Sequence, residues 1–448
     1  MSMPLPLDIL YFLIALAILI SVHEFGHFWV ARLVGVKVLC FSIGFGRALL
    51  RYQRNPDTTE YVLAAIPLGG YVKMLDEREE EVPAHQVDQA FNRQVLWKRF
   101  AIVAAGPAFN FLFAILAYWA VFMAGESGLR AVVASVEPDS IAAQAGFREG
   151  DALVRVGDRD APIWERVVFA LMVEQRSGQD LRVTVRDASG REQERWIDAE
   201  RLAALPEDAS VLEGLGLRPQ KPRFPAIIGK LIRGEPAAQA GLAVGDRILS
   251  ADGDPIRDWD HWVETVQASP GQALRVAIER DGEPLTIALT PRAAEKDGAT
   301  VGRIGAEVLV ERVQVRYGPV EALVAALVKT GDLSYLTVRV IGRMLVGQAS
   351  LENLSGPITI AKAAGQTATI GFDSFLKFLA VVSISLGVLN LLPIPILDGG
   401  HLLYFVIEWI KGSPLSEAAQ LQGQKLGIVM LAALMGLAFY LDLSRIFG

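Results

Sequence analysis

Cysteine occurs once in the 448 residues, as Cys40, so an intrachain disulfide and a four-cysteine zinc site are both excluded. Histidine is nearly as scarce: His23, His27, His85, His261 and His401 are the only five. Positive charge is not in excess either. With 43 Lys+Arg against 50 Asp+Glu the net charge is −7, so nucleic acid, which favours a basic face, is not an expected partner. Residues 1–8 hold no Lys or Arg, and no small-residue cleavage site closes the apolar run that follows, so that run does not read as a signal peptide. Apolar residues are abundant, at 52%, with a mean hydropathy of +0.34. Yet 21% of residues are charged, close to the ~25% of an ordinary soluble protein. Length alone would suggest about three domains of ~150 residues. The combination points instead to apolar segments joined to soluble domains. It excludes a disordered chain, a collagen-like chain and a purely transmembrane bundle.

Four segments are apolar enough to cross a membrane, which takes about 20 residues. The first is Ile9–Val22, continued by Phe25–Val36, within residues 1–36. The second is Phe100–Ala124, within 99–125. The third is Phe378–Trp409, within 373–411, interrupted by Pro393, Pro395 and Gly399-Gly400. The fourth is Leu426–Leu441, within 421–448. Basic residues including Arg32, Lys37, Arg47, Arg51, Arg54, Arg93, Lys98 and Arg99 lie between spans one and two, whereas the stretch before span one has none. The positive-inside rule then predicts that residues 37–98 are cytoplasmic. Both termini and the long segment 125–376 fall on the exterior.

That exterior segment contains a repeat. PDSIAAQAGFREGD and GEPAAQAGLAVGD align without gaps from Ala143 to Ala238, an offset of 95 residues. The period is too long for a solenoid and suits two tandem domains, 126–221 and 222–310, with Pro222 and Pro225 at the boundary. Each copy predicts a short helix ended by glycine, then Gly-Asp, then an alternating strand (Ala152–Val156, Arg247–Ser250). This pattern resembles the PDZ family in its circularly permuted bacterial form. The resemblance implies binding of peptide ends by strand addition. Residues 311–372 read as an exterior helical region, with amphipathic stretches Val320–Val328 and Leu336–Leu345.

The chemistry lies in span one, where His23-Glu24-Phe25-Gly26-His27 is an H-E-x-x-H motif. Four residues apart on a helix, both imidazoles reach one ion from the same face. Glu24, turned by about 100°, can act as general base toward a water that Zn²⁺ acidifies. Ionisable side chains inside a membrane are costly and are functional by default. A catalytic zinc needs a third protein ligand and an open position. Asp398, in span three, is the intramembrane acid at a similar depth. His85 and His261 read as solvent-side residues, and His401 as a neighbour of the site rather than a ligand.

HExxH in the first span, Leu397-Asp398-Gly399 in a later span and tandem exterior PDZ-like domains together resemble the site-2 protease family of intramembrane zinc metalloproteases, peptidase family M50. The likeness covers nearly the whole chain. It implies a polytopic α-helical membrane protein with four transmembrane helices, a membrane-reentrant β-hairpin and two tandem periplasmic PDZ-like α+β domains, in a bacterial inner membrane. It implies one Zn²⁺ per chain on His23, His27 and Asp398, with Glu24 as base and acid. Asn390, Pro393 and Pro395, in NLLPIP before the LDG, are implied substrate contacts. Residues 60–75, with Gly69-Gly70 between β-prone flanks, are the expected hairpin that offers an edge to an unwound substrate. Gly106-Pro107-Ala108-Phe109-Asn110 matches a further family motif, or else serves close helix packing. The implied substrates are single-span membrane proteins, anti-sigma-factor-like and already trimmed outside, or remnant signal peptides. The rival from another class is a non-catalytic membrane receptor or scaffold built on PDZ domains. A metal transporter would need more intramembrane acids and histidines.

Overall fold

The computed structural model describes residues 5–447 except 56, 80, 176–177, 188, 206–210, 220–223, 297–298, 310–312 and 348–355. Pro222 therefore lies outside the described residues. The chain divides into two compact units. One comprises residues up to Glu126 and from Val315 onward; the other is Ser127–Gln314.

The first unit is helical. Its helices are α1 (Leu5–Leu33), α2 (Leu96–Ala124), α3 (Pro319–Leu345), α4 (Pro357–Ile370), α5 (Phe372–Leu391), α6 (Asp398–Lys411) and α7 (Glu417–Phe447). Among the described residues, α1, α2, α5 and α7 are long and apolar enough to cross a membrane. Ile428, Val429 and Leu431 of α7 point outward, a surface that suits lipid rather than water. Glycine and alanine let the helices approach closely, as in membrane bundles generally. A Cβ on Gly26 of α1 would overlap the Ala105 carbonyl of α2, and one on Gly387 of α5 would press on the Phe111 ring. Ala114, Tyr118 and Phe122 of α2 form a core with Ala322 and Ala326 of α3 and Ala380 and Ile384 of α5. Asp442, buried near the end of α7, accepts the backbone N–H groups of Gly356, Ile358 and Thr359. It thereby supplies the missing partners at the start of α4.

One sequence expectation gains detail here and one changes. Span three is interrupted at its prolines, as the sequence predicts. It stops at Leu391, and α6 starts afresh at Asp398. Pro393 and Pro395 lie in the break, as residues without an N–H should. Gly399 and Gly400 instead lie inside the first turn of α6. A Cβ on either would overlap the Leu392 or Ile394 carbonyl, so they let the connection fold back tightly. In that connection Ile396 has φ 101°, an unusual left-handed conformation for a β-branched residue. Residues 319–345, expected as separate amphipathic stretches, form one helix.

Between α1 and α2 run β1 (Val38–Tyr52) and β2 (Glu60–Met74), an antiparallel pair. Both strands bend. Ser42 faces Val62 on one side and Tyr71 on the other, while Leu50 faces Leu63. The segments therefore lie in the order 70–74, 38–43, 60–64, 48–52. Gly44 and Gly46, at φ 92° and 84°, supply the bend in β1. The sequence expectation of a hairpin contained in 60–75 and turned at Gly69-Gly70 is corrected: that stretch is one arm, and the connection lies between 52 and 60. The glycine pair marks close approach inside a strand. A Cβ on Gly69 would overlap the Phe45 ring, and one on Gly70 would crowd the Ser42 carbonyl and Glu24.

The second unit holds two separate hydrophobic cores. One gathers Phe147, Leu153, Val156, Trp164, Leu171 and Val183; the other Ile228, Ile248, Trp262, Val276, Ile278 and Leu289. Each packs against a four-stranded antiparallel sheet. The first runs Arg159–Asp160, Ala152–Val156, Leu181–Arg186, Glu192–Ile197, and the second Asp254–Pro255, Arg247–Ala251, Leu274–Arg280, Glu283–Leu289. The repeated Gly-Asp has a structural reason. Asp151 and Asp246 are buried and accept the N–H of Arg148 and Ala243, closing equivalent turns. Asp246 also receives Arg280 through two hydrogen bonds of 2.7 Å, and Asp151 receives Arg195 at 3.4 Å.

Candidate metal centre

α1 is mostly apolar and its one proline, Pro6, lies in the first turn where no intrahelical hydrogen bond is lost, so it continues unbroken through its polar motif. One turn apart, His23 and His27 face the start of α6. Potential ligand atoms of His23, His27 and Asp398 all lie within 4.8 Å of one another, and no other such group occurs among the described residues. His23 Nε2 is 3.1 Å from Asp398 Oδ2, and His27 Nε2 is 3.5 Å from Asp398 Oδ1. The two Nε2 atoms are 3.2 Å apart.

The residues present fit a zinc ion. Two imidazole nitrogens and one carboxylate form a three-protein-ligand set of the catalytic type. Asp398 Oδ2 is buried, and its near polar neighbour is His23 Nε2 at 3.1 Å, itself a nitrogen able to bind a cation. A carboxylate at membrane depth costs about 2.5–3.5 kcal/mol, which a cation offsets. Gly106 of α2 lies over both imidazoles, and a Cβ there would overlap them. The ring of His27 is fixed from behind, since its Nδ1 lies 2.8 Å from the Ile102 carbonyl. A carbonyl only accepts, so Nδ1 carries the hydrogen and Nε2 faces the ligand group. His23 Nδ1 lies 3.2 Å from the carboxamide of Asn110.

A cavity of about 1080 Å³ opens on this group, lined by His23, Glu24, His27, Asn390, Asp398 and the Gly70–Met74 end of β2. Among the described residues segment 70–74 pairs with β1 alone, and its residues Gly70–Met74 line the cavity. The structure thus brings His23, Glu24, His27, Asp398, Asn390 and Gly70 together. Gly69, Pro393 and Pro395 do not line the cavity. Pro395 is set instead against α7, where Gly423 and Gly427 leave room for it. His401 lines the same cavity, edge-on to Tyr404. His85 is exposed and His261 lies in the other unit.

Sequence reasoning did not assign Ile102, Gly106 and Asn110 to this site, nor the pair Arg99–Glu408. The first three recur every four residues along α2, the spacing of one helix face, and that face meets the histidines. Arg99 donates through both Nη atoms to the Glu408 carboxylate, the longer contact being 3.2 Å, and sits 5.2 Å from the centre of the Phe405 ring. It ties α2 to the α6 helix that begins with Asp398.

Residues 11–434 match the family model for peptidase family M50. The chain is 44% identical to the regulator of sigma-E protease RseP of Escherichia coli, over 98% of this chain and 99% of that protein. It is 42% identical to a Neisseria meningitidis protein and 43% identical to a Vibrio cholerae protein, each named "Putative zinc metalloprotease". Those matches cover 98% and 97% of this chain, and 99% and 98% of the relatives.

Proposed function

The chain belongs to peptidase family M50 and is a multi-pass membrane zinc metalloprotease; from that premise we propose that it cuts single-span membrane proteins within the bilayer, using one zinc per chain on His23, His27 and Asp398. The observation that carries this reading is the meeting of those three ligands with Glu24 in a cavity lined by the strand segment Gly70–Met74. A zinc held by His23, His27 and Asp398 would supply Lewis acidity toward a water and a peptide carbonyl. Glu24 takes the proton of the attacking water and returns it to the leaving amine.

A substrate span must unwind first, because helical hydrogen bonds shield its amides. The open edge of Gly70–Met74 can pair with an extended segment by strand addition, and the Asn390 carboxamide holds the same segment from the other wall. Gly70 keeps that edge close to Glu24. Pro393 and Pro395 act through the shape of the connection they interrupt. The setting is a bacterial inner membrane with both termini and residues 126–310 in the periplasm. Substrates are anti-sigma-factor-like proteins whose exterior parts have been trimmed, with remnant signal peptides as a second class. The PDZ-like pair, 126–221 and 222–310, engages peptide ends or excludes untrimmed ectodomains.

A reporter with one truncated span, incubated with purified wild type and Glu24→Gln, tests the reading. Cleavage should fall by about 10²–10⁴-fold while zinc content, read by atomic absorption, stays the same. Undiminished cleavage by the variant, or by zinc-stripped wild type, would sink it.

A further inference from the structure

Asn110 is wholly buried, at 0% exposure, midway along α2. Its backbone carbonyl accepts the Ser383 hydroxyl at 2.8 Å, which fixes the main chain from the side of α5. Its side chain is less settled. Nδ2 lies 3.2 Å from His23 Nδ1, and Oδ1 is buried with no partner. Buried polar atoms are nearly always hydrogen-bonded, so an orphaned carboxamide oxygen beside an imidazole calls for an explanation.

The explanation comes from the second histidine. His27 gives its Nδ1 hydrogen to the Ile102 carbonyl and turns Nε2 to the ligand group. His23 must adopt the same tautomer to use Nε2, which already faces Asp398. Its Nδ1 then carries a hydrogen, and a buried N–H needs an acceptor. The Asn110 carboxamide is in reach. Its two ends exchange by a half-turn about the last side-chain bond, and heavy-atom positions do not distinguish them. With oxygen turned inward, the orphaned acceptor and the imidazole N–H satisfy each other.

We propose that Asn110 is a positioning residue of the metal centre: its carboxamide oxygen accepts the Nδ1 hydrogen of His23 and so presents Nε2 to zinc. α2 then serves both ligands from one face, by a main-chain carbonyl at Ile102 and a side-chain carbonyl at Asn110, with Gly106 leaving room between them. The inference rests on the zinc reading above.

The test is zinc affinity of the full-length protein in detergent, measured by competition with a chromophoric chelator. Asn110→Leu keeps the size and removes the acceptor; zinc affinity should fall by about 10- to 100-fold, the usual cost of losing such a partner. Asn110→Asp keeps an acceptor and should bind zinc within a few-fold of wild type. Ser383→Ala removes only the bond to the Asn110 main chain and should leave zinc affinity unchanged. Equal affinity in the Leu variant and wild type would overturn the proposal. So would equal weakening in the Leu and Asp variants, because Asp keeps the acceptor oxygen at the same place. Should the Leu variant not fold, the Asp variant decides alone: retained affinity supports the acceptor role and lost affinity refutes it. Wild type that binds no zinc would instead sink the reading on which the inference rests.

Discussion

Gly106 owes its importance to a side chain it does not have. Both imidazoles occupy the space that its Cβ would need. Gly106→Ala should therefore displace His23 and His27, lowering zinc retention and reporter cleavage together by about 100-fold, the scale of a 1 Å misplacement. Gly436 of α7 is the contrast, since nothing lies within 4 Å of its absent Cβ. Gly436→Ala should leave zinc and cleavage unchanged and add up to about 1 kcal/mol of helix propensity. Thermal denaturation of the two variants, with zinc content measured alongside, checks the pair. Sequence alone flagged Gly106 as part of a motif, but motif membership did not distinguish packing from room for ligands. That distinction needed the neighbouring helix.

At the level of single elements, the repeated Gly-Asp turn of the second unit carries a pH dependence. Burial alone would raise the Asp246 carboxyl, but the Arg280 guanidinium and the Ala243 N–H hold it below the usual carboxylate range. A group depressed in the folded state stabilises above its unfolded pKa of about 3.9 and loses that contribution as pH falls through its folded value. Stability of this sheet should hold from neutral pH down to about 4 and fall below it. Asp246→Asn should flatten that acid slope and lower stability at pH 7, followed by hydrogen exchange on the strands Arg247–Ala251 and Leu274–Arg280. The alternating strands and glycine-ended helices of this region were legible because local pattern governs them. The Arg280 partnership was not. It joins residues that are distant in sequence and follows no fixed spacing. The same holds for β1 and β2, where a glycine pair that reads as a turn is instead a point of close approach to Phe45, Ser42 and Glu24.

For the whole molecule, the division into a helical unit and Ser127–Gln314 lets the two be separated experimentally. If the second unit selects trimmed substrates, replacing residues 127–314 by a flexible linker should raise cleavage of a full-length substrate toward that of its trimmed form. Paired reporters, with and without the ectodomain, measure the ratio, and an unchanged ratio would count against selection by this unit. The sequence by itself determined the four apolar helices, because a run of about 20 apolar residues has few other stable solutions. It also determined that the two HExxH histidines share one helix face, because four residues make one helical turn, and the tandem repeat, because it is written twice. Only the tertiary structure decided that Asp398 opens a new helix after a broken connection, that segment 70–74 lines the cavity, and that Ile102, Gly106 and Asn110 serve the histidines. Each of these depends on which helix faces which, and that is set by packing between segments that sequence periodicity describes only one at a time.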